Sequence, residues 1–234
     1  SQLIFEPPAD GDYVVRVTDT RGFGAAGNPE DFRYALEIRR PRPAFNVSVG
    51  GKNPKVSPGS GRELVFTATR IEGYEGPIRI DVTNLPEGFT FHGPIEIESG
   101  QFRALAVLSA AAEAVDPDQA ADLAVEVTAT AVAATGRRGI AVAEPVKSLG
   151  NLGDIALAAP PKVTLRIIAA DETDAADVEK PLTLRLKPGQ TIRAKAVATR
   201  HDFDGRIPFG RDTEAGRNLP YGVFVDNIGL NGLL

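Results

Sequence analysis

The sequence predicts an all-β chain of tandem antiparallel β-sandwiches, the last of them incomplete. Three observations carry that prediction. The apolar residues are mostly Val, Ile, Leu and Ala, and they fall in short runs. Several of those runs alternate with a period of two, as half-buried strands do. Between the runs, 24 Gly and 18 Pro mark turns, which suits many short strands better than helices.

The first segment, 1–41, reads as a hairpin. Tyr13, Val15 and Val17 alternate with Val14, Arg16 and Thr18, and a Gly-rich loop over 21–28 follows. Phe32, Tyr34, Leu36 and Ile38 then line one face of a second strand while Arg33, Ala35, Glu37 and Arg39 line the other. Pro41-Arg42-Pro43 ends it, because proline has no N–H to give a ladder.

A second unit, 44–170, has candidate strands at 45–49, 63–69, 78–82, 89–91, 95–97, 102–108, 123–130, 140–142 and 163–168. The turns Pro58-Gly59-Ser60-Gly61, Leu85-Pro86-Glu87-Gly88 and Ser99-Gly100 separate them. The Ala-rich piece 109–121 is broken by Asp116-Pro117-Asp118 and reads as a surface loop.

A third unit, 178–234, follows the acidic connector 171–179, and it echoes the second in the same order of features. Pro58-Gly59 returns as Pro188-Gly189, and the strand ending in Thr69-Arg70 returns as the one ending in Thr199-Arg200. Tyr74-Glu75-Gly76 returns as Phe203-Asp204-Gly205, and Asn84-Leu85-Pro86-Glu87-Gly88 as Asn218-Leu219-Pro220-Tyr221-Gly222. Two copies of one domain are implied. The second is shorter, so unpaired strand edges are expected in it.

Composition narrows the function classes. The hydrophobic share of 42% and charged share of 24% lie in the globular range. A net charge of −5 argues against nucleic-acid binding, which needs clustered Lys and Arg; Arg39-Arg40-Pro41-Arg42 is short and reads as a solvated linker. With no Cys there are no disulfides or thiolates, and no apolar window is long enough to span a membrane. The absence of Met points to a processed piece or a fragment of a longer protein.

No motif reads as catalytic. Gly22-Phe23-Gly24-Ala25-Ala26-Gly27 has the dinucleotide spacing, but Pro29 stands where the phosphate-holding helix would run, so a loop is expected. His92 and His201 are the only histidines and both fall in turns; Ser57, Ser60 and Ser99 sit in Pro- or Gly-marked turns with no nucleophile elbow. The carboxylate pairs Asp10/Asp12, Asp116/Asp118, Asp171/Asp174/Asp177 and Asp202/Asp204 read as turn caps. A calcium ion at Asp10, Asp12 and Asp19 is the alternative, and otherwise no cofactor is expected. Phe23, Tyr74, Phe203 and Tyr221 are the candidate ligand platforms. For Tyr74 and Phe203, which hold equivalent repeat positions, a plug under a turn is the better reading.

Two stretches carry a family resemblance. Residues 9–20, beginning Ala9-Asp10-Gly11-Asp12-Tyr13, with the later Phe32-Arg33-Tyr34-Ala35-Leu36-Glu37-Ile38, resemble the end of the bacterial pre-peptidase C-terminal domain. That family is a jelly-roll-like sandwich attached to secreted peptidases and other exported proteins. The remainder, with its Asn-Leu-Pro-x-Gly turns, resembles the immunoglobulin-like repeats that follow such domains in large planctomycete-type exported proteins. The resemblance implies a non-catalytic accessory module, outside the cytoplasm or on the cell surface, that spaces or tethers other domains of a parent chain. The alternatives are a module that binds polysaccharide or a cell-surface protein, and a fragment of a secreted peptidase or hydrolase.

Overall fold

In strand β3 (Ser60–Ile71), Leu64, Phe66 and Ala68 point inward while exposed Glu63-side neighbours such as Thr67 and Thr69 point out, the alternation that fixes which face meets a core. The computed structural model describes residues 3–17, 35–118, 124–171, 183–207, 219 and 222–225. Around β3 the chain builds two four-stranded sheets that share one core.

The first sheet joins β1 (Ala44–Gly50), β3, β7 (Arg103–Ala110) and β5 (Phe89–Phe91) in the order β1-β3-β7-β5. The second joins β6 (Ile95–Ile97), β4 (Ile78–Thr83), β8 (Glu126–Ala131) and β9 (Val146–Ser148) in the order β6-β4-β8-β9. All pairings within them are antiparallel. Large and small inward residues are matched across strands: Leu64 and Phe66 pair with Ala106 and Ala104, and Ile78 and Ile80 with Ala131 and Ala129. This is why an Ala-rich sequence still fills its interior, since close packing needs small partners beside large ones.

A parallel pair, β2 (Lys55–Val56) with β10 (Ala156–Leu157), brings Val56, Leu152 and Ile155 into the same core. Asp116 ties the Ala-rich loop to this pair, its carboxylate accepting from the Leu157 amide at 2.6 Å. No α-helix occurs among the described residues, and the one helical turn is a 3-10 turn at Arg137–Gly139.

Two expectations need correction. The hairpin expected over 1–41 is not one of them, since residues 18–34 lie outside the described residues; the described parts, 13–17 and 35–40, form no β-ladder, with Val14 96% and Ile38 76% exposed. The stretch 140–142 makes only an isolated bridge, Thr135 to Ala141. Most telling is β11 (Val163–Ala169), assigned from sequence to the unit 44–170. It pairs antiparallel with β12 (Ala194–Arg200) in a separate two-stranded sheet, so it belongs with the third segment.

Candidate functional site

The aromatic at 74 faces inward. Tyr74 is 0% exposed, packs against Phe45 with ring centroids 5.5 Å apart, and donates its hydroxyl to the Pro77 carbonyl at 2.7 Å. Burial pushes its phenol above the ordinary range, with the nearby Arg70 charge pulling the other way. Gly76 permits this: a Cβ there would stand 2.9 Å from the Tyr74 hydroxyl and 2.8 Å from the Ala133 Cβ.

Arg70 closes the arrangement. Its guanidinium lies 5.7 Å from the centre of the Tyr74 ring and donates to the carbonyls of Gly76, Gln101 (2.9 Å) and Glu98 (2.8 Å). Two loops, 72–77 and 98–102, are thus held by one side chain, and desolvation lowers its pKa.

The third segment repeats the pattern. Arg200 lies 5.9 Å from the Phe203 ring and donates to the carbonyls of Phe203 (3.2 Å) and Gly205 (2.6 Å). A Cβ at Gly205 would stand 2.5 Å from the tip of the Phe203 ring. The preceding turns match as well, Ser60 N–H bonding the Ser57 carbonyl and Gln190 N–H the Lys187 carbonyl. Gly59 and Gly189 both take positive φ, 66° and 78°, which only glycine adopts without strain. Tyr74 is therefore a plug buried under its turn and offers no face to a ligand, and the half-buried Phe203 holds the equivalent position. Phe23 and Tyr221 lie outside the described residues.

Of the acidic candidates, Asp10 and Asp12 are exposed and Asp19 lies outside the described residues; among the described residues no three His, Asp or Glu side chains gather for a metal.

One polar pair was not visible in the sequence. His92 Nε2 lies 2.7 Å from Ser109 Oγ, because β5 and β7 pair with Thr90 opposite Ser109. Only the strand register could have shown it. A serine next to an imidazole is half of a nucleophilic site, which further needs an orienting carboxylate and donors for an oxyanion. Among the described residues Ser109 is the only hydrogen-bond partner of the exposed His92 ring. His201 lies 3.4 Å from Thr164 Oγ1.

The basic stretch at 39–42 is more than a solvated linker. The Arg39 guanidinium grips Glu72 with two nitrogens, one at 2.7 Å, and reaches Glu37 at 3.1 Å. Glu72, its side chain 7% exposed, also accepts from the Arg42 amide. That hydrogen-bonded partner holds the Arg39 pKa above its ordinary value. Beside this pair a groove of about 330 Å³ opens between residues 4–6, Arg40, Pro41, Arg137 and Ile140. Arg137 is held in place by its amide, which donates to the Gly73 carbonyl at 3.2 Å, and by its aliphatic stem lying over Gly73.

Comparison with known protein families, curated proteins and solved structures finds no match for this chain.

Proposed function

We propose that the chain is a non-catalytic accessory module of an exported or cell-surface bacterial protein, made of tandem immunoglobulin-like sandwiches that space or tether other domains of the parent chain. The observation that carries this reading is the unit built twice: a Pro-Gly turn, a strand ending in Arg, and an aromatic-x-Gly plug under that Arg. Pairing supports it too. β1 sets Phe45 opposite Arg70, and β11 sets Val163 opposite Arg200. A domain type repeated along a chain suits mechanical spacing, each copy burying its own core.

The strand order supports the immunoglobulin-like assignment. β1-β3-β7-β5 against β6-β4-β8-β9 follows the order A-B-E-D against C′-C-F-G. The chain visits β5 before β6, the reverse of the usual path, so the likeness is one of layout. The resemblance of the first 41 residues to a pre-peptidase C-terminal domain fits the same setting, with partners in the parent chain and no nucleic acid or cofactor.

Limited proteolysis and turnover assays test the proposal together. A protected fragment running from near Pro43 to near Pro160, inert toward ester, peptide and glycoside substrates, is the expected result. Hydrolysis that disappears in His92→Ala or Ser109→Ala would overturn it.

A further inference from the structure

One end of the sandwich has chemistry that spacing alone does not use. The stretches 39–42 and 137–139, distant in sequence, meet there because Gly136 fits against Pro43; a Cβ at Gly136 would stand 2.6 Å from the proline Cβ. The groove between them is lined by Phe5, Glu6, Arg40, Pro41, Glu72 and Arg137, among others. We propose that this groove binds an acidic polysaccharide, with Arg40 and Arg137 holding a uronate carboxylate or sulfate ester and Phe5 supplying a face for the sugar ring. The inference goes beyond the spacing role and stands independently of it.

Charge is the first argument. The Arg39 fork offsets the Glu72 charge, though it also reaches Glu37. Arg40 and Arg137 are both exposed, and neither guanidinium has an acidic partner among the described residues. Around the groove Arg39, Arg40, Arg42 and Arg137 stand against Glu6, Glu37 and Glu72, a small positive excess in a chain of net charge −5, and arginine can take an oxyanion with two N–H groups.

The walls supply the second argument. Phe5, which lines the groove, is 57% exposed, and its ring meets that of Tyr13 edge to face at 5.2 Å. Aromatic faces suit the C–H side of a sugar ring. On the side formed by 41–42 and 137–140 main-chain donors are taken: Pro41 has none, the Arg42 N–H bonds Glu72, and the Arg137 and Ile140 N–H groups bond the Gly73 and Arg137 carbonyls. An extended acidic peptide, which relies on main-chain pairing, would find little to bond on that side. The volume of about 330 Å³ is at the low end of small-molecule sites, so a short stretch of a polymer fits better than a compact ligand.

The test is calorimetric titration of the full chain with polygalacturonate, dextran sulfate, uncharged dextran and poly-glutamate at low ionic strength. Binding of polygalacturonate, dextran sulfate or both, without binding of dextran, is expected, and which of them binds identifies the substituent. Arg40→Gln with Arg137→Gln should weaken that binding by about tenfold or more, Phe5→Ala by a few-fold, and Arg62→Gln on the exposed part of β3 should change nothing. Should the double variant unfold, amide shift mapping on the unaltered protein decides: shifts at Gly73, Arg137 and Ile140 support the site, and shifts confined elsewhere overturn it. Equal affinity for poly-glutamate, or full affinity in a folded double variant, also overturns it.

Discussion

The sandwich spanning β1 to β10 and the two-stranded sheet β11–β12 contain the same local device with different surroundings. In the sandwich, Tyr74 is wholly buried and Arg70 reaches three carbonyls from two loops. In the smaller sheet, Phe203 is half-buried and Arg200 reaches two carbonyls, both within its own turn. Leu165 and Ile167 of β11 stay about half exposed, at 49% and 53%, where inward residues of the sandwich strands are covered. The device is therefore encoded locally, whereas its energetic weight comes from what packs over it.

Matched substitutions in the two regions would break that comparison if they had equal effects. The largest difference is expected for the plugs. Tyr74→Ala should lower sandwich stability in urea melts by about 3–5 kcal/mol, a cost typical of emptying a buried aromatic site, while Phe203→Ala should cost under about 1 kcal/mol. The arginines come next. Arg70→Met removes the guanidinium donor from three carbonyls and should cost about 2–3 kcal/mol. Arg200→Met should alter only hydrogen exchange within β12 and its turn, followed by mass spectrometry.

The glycines give a smaller contrast. Gly76→Ala must displace Tyr74 or Ala133 and should cost about 1–3 kcal/mol, as overpacked sites do. The Phe203 ring can swing toward solvent, so Gly205→Ala should be nearly neutral by the same melts. The smallest effect concerns the Tyr74 hydroxyl. Its pKa is raised in the folded state, so the stability tied to the neutral phenol is complete below pH 10.0, the ordinary value, and is lost as pH rises toward the folded value. Tyr74→Phe should cost about 1 kcal/mol at neutral pH and show a flatter decline than the parent above pH 10.0. Parallel alkaline curves for the two proteins would refute this assignment.

Strands with strong alternation were legible in advance because their faces differ in polarity along the sequence itself. Those at 63–69, 78–82, 89–91 and 95–97 fall within or on β3, β4, β5 and β6. β2, β9 and β10 were not, since strands of two or three residues have no period to detect, and β2 exists only because β10 lies alongside it. The strand at Val163–Ala169 was recognised but placed in the wrong unit, because a run of apolar residues does not name its partner. The plug role of Tyr74 and Phe203 was readable from their repeat positions. Neither the groove nor the His92–Ser109 pair was, because residues 40 and 137, like 92 and 109, meet only through the registers of strands between them.

By itself, the order of residues determined the all-β class, the turn positions and the Arg–aromatic–Gly device, all of which depend on interactions reaching only a few residues along the backbone. Tertiary structure decided which strands pair, where the first unit ends and which charges stand together. Those outcomes depend on contacts between distant segments, whose formation rests on a shared core and not on any one local preference.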